Sequence, residues 1–418
     1  MNRSLNKIAL YHNLTSGGSK RELYEFAKRY KQNGFTVYLY GHQEENNSYL
    51  DLSEWVDETC IKPYNLLNKI SFTLPFLKSF INLFIDIINI RKINGVSREM
   101  AIEIDKKKYD FVFVHHNKDY VQSPFILKYL KTKTAYFCAE PFRKFYESGI
   151  FQKNKKRNKT AGLMKLYSFL TDLVDKPCVK YFENKIKIYD YENISYSDLV
   201  LTNSYFSREN ILAAYGVNAK VIHLGGDTFI AQTKISSIER GNAVISVGAI
   251  NGLKGYEFIV QALGTINEDE RPMLIIVGNA TSKVYLSKIQ TLADKLKVSL
   301  SVHENILDED LSLLIQKSTL FVYAPFLEPL GLGPLEAMSF GLPIVAVKEG
   351  GPRETIVHGK NGYLVDRDPI QFGEKIVSIL KDQLLREKLS IGAKESIKSY
   401  WNWDMAFERL NSSITSGL

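Results

Sequence analysis

The sequence predicts an α/β protein with two successive parallel-sheet domains, and two observations lead to this prediction. Short apolar strands alternate with helical segments: a strand over 7–12 is followed by a helix over 19–33 and a strand over 35–40. This order is typical of a βαβ unit, in which both strands belong to one parallel sheet. A polar stretch without periodicity, from residue 228 to about 242, separates two alternating series of similar length. We therefore expect two sheets that face each other across a cleft.

The same alternation assigns the remaining elements in chain order. Each series contains short apolar runs, and helices such as 256–266 and 282–296 fill the intervals. Residues 371–410 look helical throughout. The further strands are predicted at 109–115, 134–138, 198–202, 219–223, 243–247, 273–277, 298–303, 320–323 and 344–347.

Length and composition fit a division into two domains. A chain of 418 residues exceeds one ordinary domain, and its 45% hydrophobic and 24% charged residues are typical of a globular protein. We place the first domain at 1–227 and the second at 228–400. A last helix over 401–418 is expected to pack back on the first domain.

The cysteines and the N-terminus predict a cytoplasmic protein. Cys60, Cys138 and Cys178 are odd in number and far apart, which fits neither a disulfide framework nor a zinc site. A reducing compartment is therefore expected. Residues 1–14 contain no apolar stretch of signal-peptide length.

The net charge of +8 is concentrated in one part of the chain, between residues 153 and 187. Three interpretations are open: a solvated loop and helix face, a surface for anionic membrane or lipid phosphate, and a nucleic-acid site. No recognition motif accompanies the charge, so we expect no nucleic-acid partner. The basic residues are Lys153, Lys155, Lys156, Arg157, Lys159, Lys165, Lys176, Lys180, Lys185 and Lys187.

A second stretch, residues 72–90, also concerns membranes. It is rich in Phe, Leu and Ile but is too polar and too short for a good membrane span. Its polar residues recur at helical spacing and therefore share one helix face. The amphipathic helix that this predicts could pack on a sheet or lie at a membrane interface. The four polar positions are Lys78, Asn82, Asp86 and Asn89.

The chemistry-bearing motif is EPLGLGPLEAM, residues 328–338, which follows a predicted strand. Gly331 and Gly333 open a helix, and a helix N-terminus with accessible backbone favours a phosphate. Glu336 lies in the first turn and could accept hydrogen bonds from a ribose diol, while Glu328 could accept from hydroxyls of another ring. A dinucleotide fingerprint would need glycine where Glu336 stands. Two ordinary surface glutamates beside a helix cap remain an alternative.

The two glutamates, with seven residues between them and followed by EAMSFGLPIVA, resemble the donor signature of retaining GT-B glycosyltransferases of family 4. The resemblance implies a GT-B fold of two Rossmann-like domains, an N-terminal one for the acceptor and a C-terminal one for the donor. It also implies that Glu328 contacts hydroxyls of the transferred sugar and that Glu336 binds the nucleotide ribose. The backbone of Gly331, Leu332 and Gly333 would hold the diphosphate.

Three further stretches resemble the same family, at 350–365, 196–211 with the later Gly-Gly-Asp at 225–227, and 16–40. The last contains Gly17 and Gly18, which by this resemblance approach the donor phosphates and the sugar. The resemblance is weakest at 51–94 and 149–189, where acceptor-specific features usually lie.

Two strand ends complete the implied site. The family commonly has a histidine close to the transferred sugar at the position of His115, which His116 follows. A lone histidine at a strand end is otherwise often structural, and no spacing around these two indicates a metal site. In the second domain, VGAINGLKG at 247–255 resembles an element whose arginine and lysine neutralise the diphosphate. Lys254 remains and can bind phosphate as a point charge, but Ala249 stands at the arginine position.

Two arginines are candidates to replace the missing cation. Arg353 lies in a Gly-Gly-Pro-Arg-Glu turn, and Arg143 follows a predicted strand together with Glu140. Glu140 and Arg143 could instead bind acceptor hydroxyls or phosphate, or form a surface salt bridge.

The resemblance implies a retaining glycosyltransferase that moves a sugar from a UDP- or GDP-linked donor to a hydroxyl of a glycan or lipid-linked acceptor. Cell-surface polysaccharide or glycoconjugate synthesis is the expected role, with possible peripheral attachment to the inner face of an anionic membrane. We expect no cofactor besides the nucleotide-sugar substrate, and no essential metal. The alternative, which Ala249 keeps open, is a non-catalytic nucleotide-sugar-binding or scaffold protein with the same fold.

Overall fold

The computed structural model describes residues 6–14, 17–42, 50–71, 75–116, 120–146, 163–227 and 240–418. For residues 75–77 and 163–175 the structure describes the helical backbone only. The predicted interdomain stretch at 228–239 and the basic residues between Lys153 and Lys159 lie outside the described residues.

The first domain is built on one parallel sheet. Its strands are β1 (Lys7–His12), β2 (Thr36–Gly41), β3 (Glu58–Ile61), β4 (Phe111–His115), β5 (Thr134–Phe137), β6 (Leu199–Thr202) and β7 (Lys220–Val221). Among the described residues their order is β3-β2-β1-β4-β5-β6-β7. The strand order therefore reverses between β1 and β4, which pair directly. β3 was not predicted, because this edge strand is too exposed to form an apolar run.

The second domain repeats this architecture. Its strands are β8 (Ala243–Val247), β9 (Met273–Gly278), β10 (Leu300–Glu304), β11 (Leu320–Tyr323), β12 (Ile344–Val347) and β13 (Gly362–Val365). In the described part of the chain they form a parallel sheet in the order β10-β9-β8-β11-β12-β13. Here the order reverses between β8 and β11. The prediction of two parallel-sheet, Rossmann-like domains is confirmed.

Helices cover both sheets. In the first domain they are α1 (Gly18–Gln32), α2 (Pro75–Lys106), α3 (Arg143–Tyr146), α4 (Leu163–Ile194) and α5 (Tyr205–Tyr215). The later ones are α6 (Tyr256–Gly264), α7 (Lys283–Leu296), α8 (Asp308–Lys317), α9 (Leu332–Ser339), α10 (Pro352–Thr355), α11 (Pro369–Lys381), α12 (Gln383–Ser399) and α13 (Trp403–Gly417). Short 3-10 helices lie at Leu52–Trp55, Phe125–Lys128, Gly252–Lys254 and Glu268–Glu270.

Residues 371–410 are helical as predicted except at Asp382 and at 400–402, where the region divides into α11, α12 and α13. The carboxylate of Asp382 accepts a hydrogen bond from the Leu385 amide at the start of α12. Asn402 does the same for the Met405 amide at the start of α13. Both capping residues have extended backbone, which ends one helix and begins the next.

Helix α2 confirms the predicted helix but presents its faces in an unexpected way. Its polar face points inward: Asn82 bonds the backbone of Ile70, Asn89 bonds the backbone of Leu67, and Asp86 accepts from Lys69 and Tyr120. Its apolar side chains at i, i+4 and i+8 point outward, with Phe80 and Phe84 52% and 53% exposed and Ile88 39% exposed. In the described residues, no helix is long and apolar enough to cross a membrane.

The last helix, α13, packs against α1 of the first domain. Trp403 lies edge-to-face on Phe26 with ring centroids 5.8 Å apart, and Phe407 does the same on Tyr30 at 4.9 Å. The Trp403 amide also donates to the Asp227 carboxylate at 2.7 Å, which fixes the end of the first domain.

We predict that Trp403→Ala lowers the free energy of unfolding by about 3–5 kcal/mol, because it leaves a cavity between α1 and α13. Urea denaturation followed by circular dichroism measures this loss. Leu384→Ala, at an exposed position of α12, is the control and should change stability by less than about 0.5 kcal/mol. Equal, small losses for both variants would contradict the packing described here.

Candidate functional site

The two sheets each place functional residues at the point where their strand order reverses. In parallel α/β sheets, ligands bind beyond the carboxyl ends of the strands at such switch points. In the first sheet, β1 leads to the loop with Gly17 and Gly18, and β4 ends at His115. In the second sheet, β8 leads to the loop with Lys254, and β11 leads to the loop with Glu328. The sequence motifs therefore fall at two equivalent places in the two domains.

The loop that carries Glu328, residues 324–331, is fixed by hydrogen bonds to its backbone carbonyls. Arg367 donates to the carbonyl oxygens of Ala324 at 3.0 Å and Pro325 at 2.7 Å. The Gly351 amide donates to the carbonyl of Glu328 at 2.8 Å. Each buried carbonyl needs such a partner, so these bonds define the course of the loop.

The first domain also binds this loop. Arg143 of α3 donates to the Phe326 carbonyl at 2.8 Å, and the Ser204 hydroxyl donates to the Pro329 carbonyl at 2.6 Å. Ser204 and Arg367 were not identified from sequence, since their partners are backbone atoms far along the chain. Ser204 is also the N-cap of α5, where its side chain accepts a hydrogen bond from the Ser207 amide.

Glu328 and Lys254 are bonded to each other. The Lys254 ammonium donates to both carboxylate oxygens of Glu328 at 2.8 Å. Both side chains are partly exposed. The structure thus brings together two groups that were predicted to bind neighbouring parts of one ligand.

The start of α9 lies beside this ion pair. Gly331 has φ of 87°, and a β-carbon there would lie 2.9 Å from the Tyr323 ring. A β-carbon at Gly333 would lie 3.2 Å from the Val247 carbonyl oxygen. The glycines therefore let the first turn of α9 pack closely between β8 and β11, with its positive dipole end directed at the site.

The glycine loop of the first domain meets the same helix end. Gly17 has φ of 91° and precedes α1, whose first turn bonds the Gly17 carbonyl through the amides of Lys20 and Arg21. A β-carbon on Gly18 would lie 3.2 Å from the Leu332 side chain. The N-termini of α1 and α9, from different domains, thus converge on one point.

Glu336 is almost buried and pairs with the first domain. The Arg21 guanidinium lies 3.2 Å from its carboxylate. Burial raises the pKa of Glu336 above its ordinary value, and the positive charge of Arg21 opposes this rise. Arg21 was not identified from sequence, although a cation in the first turn of a helix is electrostatically unfavourable and signals a special partner.

His115 lies beneath the site rather than at its surface. It is fully buried at the end of β4, 3.1 Å from the carboxylate of Glu22 on α1 and stacked on Phe137. Its Nδ1 lies 3.3 Å from Nδ1 of His116. Burial raises the pKa of Glu22 well above its ordinary value. His115 therefore supports the helix that carries Gly18, and its contact with a sugar stays a prediction.

The two arginines considered as replacements for the cation absent at Ala249 bind backbone carbonyls. Arg353 donates to the Gly350 carbonyl at 3.0 Å and lies over the Phe206 ring. Arg143 binds the Phe326 carbonyl as described above. Glu140 lies 3.6 Å from Arg143, so the salt bridge between them is present. Within the part of the chain that the structure describes, no group of three His, Cys, Asp or Glu side chains could hold a metal ion.

The two facing sheets with their cleft define the GT-B fold of glycosyltransferases, and solved structures agree with this class. Sucrose-phosphate synthase from Thermosynechococcus elongatus superposes with a TM-score of 0.70 and 15% identity, over 98% of this chain and 98% of that chain. Anabaena HepE in complex with UDP and glucose superposes with a TM-score of 0.67 and 17% identity, over 98% and 100%. At such low identity this likeness shows the fold.

The family model of glycosyl transferases group 1 matches residues 228–396, so the second domain of this chain is similar to that family. Spore coat protein SA of Bacillus subtilis is 29% identical over 178 residues, which are 40% of this chain and 47% of that protein. The alpha-1,3/1,6-mannosyltransferase alg-2 of Neurospora crassa is 36% identical over 121 residues, 28% of this chain and 25% of that protein. The match thus spans less than half the length of these relatives. The resemblance drawn from residues 328–347 is confirmed.

We predict that Gly351→Ala disrupts the loop that carries Glu328, because its β-carbon would overlap the Pro329 carbonyl oxygen. Affinity for UDP or GDP should fall by at least about tenfold, close to 1.4 kcal/mol, as measured by calorimetry. Gly95→Ala, a helix position with open space around the new β-carbon, is the control and should bind normally. Unchanged affinity in Gly351→Ala would show that the loop does not shape the site.

Proposed function

We propose that this chain is a retaining glycosyltransferase that moves a sugar from a UDP- or GDP-linked donor to a hydroxyl of a glycan or lipid-linked acceptor. One observation carries the proposal. Gly18, at the start of α1, meets the first turn of α9 at Leu332. The Lys254–Glu328 ion pair lies in the loops that follow the adjacent strands β8 and β11. This arrangement offers neighbouring positions for phosphate, sugar and ribose.

The diphosphate would lie at the N-terminus of α9. The backbone of Gly331, Leu332 and Gly333 presents the positive end of this helix, and an anion there gains about 0.3–1 kcal/mol, or up to 2 when partly buried. Lys254 would supply the full positive charge. The N-terminus of α1 at Gly17 and Gly18 adds a second helix end of the same sign.

Donor binding would separate the Lys254–Glu328 ion pair, because the phosphate and the sugar would each replace one partner. The side chains are only 22% and 15% exposed, so the cost of separating the pair is offset only when the ligand supplies a new partner to each charge. Lys254 then turns to the phosphate, and both oxygens of Glu328 become acceptors for sugar hydroxyls. The ion pair thus keeps the two groups oriented without locking them.

The nucleoside would extend toward Glu336, whose carboxylate would accept hydrogen bonds from the ribose hydroxyls. The acceptor would enter from the first domain. For a retaining transfer, a front-face displacement lets the departing diphosphate help remove the acceptor proton. The protein then acts by positioning both substrates and by stabilising charge on the leaving group, with no essential metal required in this proposal.

The second candidate is a nucleotide-sugar-binding protein without transfer activity. Ala249 favours it, because one of the two cations that the family uses at the diphosphate is missing. Binding of UDP or GDP with neither donor hydrolysis nor transfer to any acceptor would support this reading. Hydrolysis of a nucleotide sugar by the purified protein would support the transferase.

We predict that Lys254→Ala weakens UDP or GDP binding by about 10- to 100-fold, since a hydrogen bond to a charged group contributes about 1.5–3 kcal/mol. Calorimetric titration measures the change. The control is Lys283→Ala, which removes an exposed lysine of the same domain from its pair with Glu304. If Lys254→Ala binds as tightly as the unmodified protein, Lys254 does not contact the phosphates.

A peripheral membrane location belongs to the same proposal, and helix α2 supports it. Its polar face is hydrogen-bonded inside the domain, whereas Phe80, Phe84 and Ile88 face solvent on one stripe. An apolar stripe of this kind fits the interface of a bilayer. The neighbouring helix α4 adds exposed lysines that would attract anionic lipid headgroups. Those described are Lys176, Lys180, Lys185 and Lys187.

We predict that Phe80→Ser with Phe84→Ser reduces binding to vesicles with anionic lipid by more than tenfold, because burying each ring contributes about 1.5–3 kcal/mol. Vesicle co-sedimentation measures binding. Val284→Ser with Leu384→Ser, two exposed apolar positions of the second domain, is the control. Replacing Lys176, Lys180, Lys185 and Lys187 of α4 by glutamine should weaken binding to anionic vesicles in particular. Vesicle binding that survives both sets of changes would contradict the membrane surface.

A further inference from the structure

We propose that Arg21 is a positioning residue for the donor, which binds the Glu336 carboxylate from the first domain and thereby couples that domain to nucleoside binding. The inference rests on the proposed function, in which Glu336 accepts hydrogen bonds from the ribose. It adds a residue of the first domain to a pocket otherwise built by the second.

The contact crosses between the domains. Arg21 lies in the first turn of α1, three residues after Gly18, and its Nε is 3.2 Å from the Glu336 carboxylate on α9. Its guanidinium also reaches Asp308 at the start of α8, at 3.5 Å. The Arg21 side chain is only 5% exposed. Nε and Nη2 of one guanidinium group thus join two elements of the second domain to one helix of the first.

The titratable groups that face Glu336 lie on three packed elements. On α1 they are Arg21 and Glu25, and on α8 it is Asp308. On β11 it is the phenol of Tyr323, which is neutral. Burial raises the pKa of Glu336 most strongly, and the negative charges of Asp308 and Glu25 raise it further. Arg21 is the group among these that lowers it. The ionised state of Glu336 therefore depends on Arg21.

Ionisation matters for the nucleoside because a carboxylate accepts hydrogen bonds at both oxygens, whereas a protonated carboxyl uses one oxygen as a donor. A neighbouring opposite charge lowers the pKa of a carboxyl group. Without Arg21, the pKa of Glu336 should rise further, so protonation would begin at a higher pH and weaken ribose binding there. The loss should appear in donor KM rather than in kcat at saturating donor.

The test measures binding of UDP-glucose and GDP-mannose by calorimetry between about pH 5.5 and 8.5. Nucleotide sugars are used because a diphosphate diester lacks the phosphate ionisation near pH 6 that a free nucleoside diphosphate carries. The variants are Arg21→Met, Arg21→Lys, Asp308→Asn and Glu336→Gln, with the double variant Arg21→Met/Glu336→Gln. Thermal unfolding at each pH checks that every variant is folded.

As the pH falls, donor affinity should begin to fall at a pH at least about one unit higher in Arg21→Met than in the unmodified protein. Below the midpoint of this loss, affinity falls about tenfold for each pH unit. Asp308→Asn should move this midpoint downward, because a negative charge near Glu336 is removed. Arg21→Lys, which keeps the charge, should lie between Arg21→Met and the unmodified protein. In the Glu336→Gln background, Arg21→Met should no longer change the pH profile.

An identical pH profile for Arg21→Met and the unmodified protein would overturn the inference while leaving the proposed function intact. A shift that persists in the Glu336→Gln background would also overturn it, since Arg21 would then act on another group. Failure of the unmodified protein to bind either nucleotide sugar at any pH would instead overturn the proposed function itself.

Discussion

The structure depends on how the backbone carbonyls of the loop at 324–331 find hydrogen-bond donors. This loop leaves a buried strand and must turn before α9, so its carbonyl groups cannot pair within a sheet. Arg367 and the Gly351 amide satisfy them from the second domain, and Arg143 and Ser204 satisfy them from the first. The same bonds that place Glu328 therefore also hold the two domains together at the cleft.

This constraint has a consequence for electrostatics. Arg143 binds the Phe326 carbonyl of this loop, so its guanidinium gives structure to the site while it keeps its full positive charge. In the proposed complex the positive potential would come from Lys254 and from two converging helix ends. A chain with alanine at position 249 can thus offer a diphosphate a cationic environment made of several weaker contributions.

Much of this fold could be predicted from sequence, because strand and helix periodicity report on burial along one segment at a time. The strands β1, β8, β11 and β12 have the predicted bounds. Gly331 and Gly333 were also identified, because a requirement for close backbone approach leaves a mark in the sequence, whereas Gly17 and Gly18 came from the family resemblance. The edge strand β3 and the breaks in 371–410 were missed, since exposure and a single capping aspartate give weak local signals.

The contacts between distant segments could not be predicted from periodicity. Arg21 and Glu336 are far apart along the chain, and so are Lys254 and Glu328. A helical wheel of residues 72–90 shows that the polar residues share a face, but it cannot say which face is inward. The direction is set by residues 65–70, whose backbone needs the amides of Asn82 and Asn89 as partners.

These buried polar bonds explain why α2 can expose aromatic residues. Once Asn82, Asp86 and Asn89 are satisfied inside the domain, turning the helix over would bury Phe80 and Phe84 but leave several backbone and carboxylate groups without partners. Each unsatisfied buried group costs about 1–3 kcal/mol, which is comparable to the gain from burying one aromatic ring. The outward stripe is therefore a stable property of the fold. The first domain, which is proposed to receive the acceptor, thus keeps an exposed apolar stripe on α2, and the neighbouring helix α4 carries the lysines.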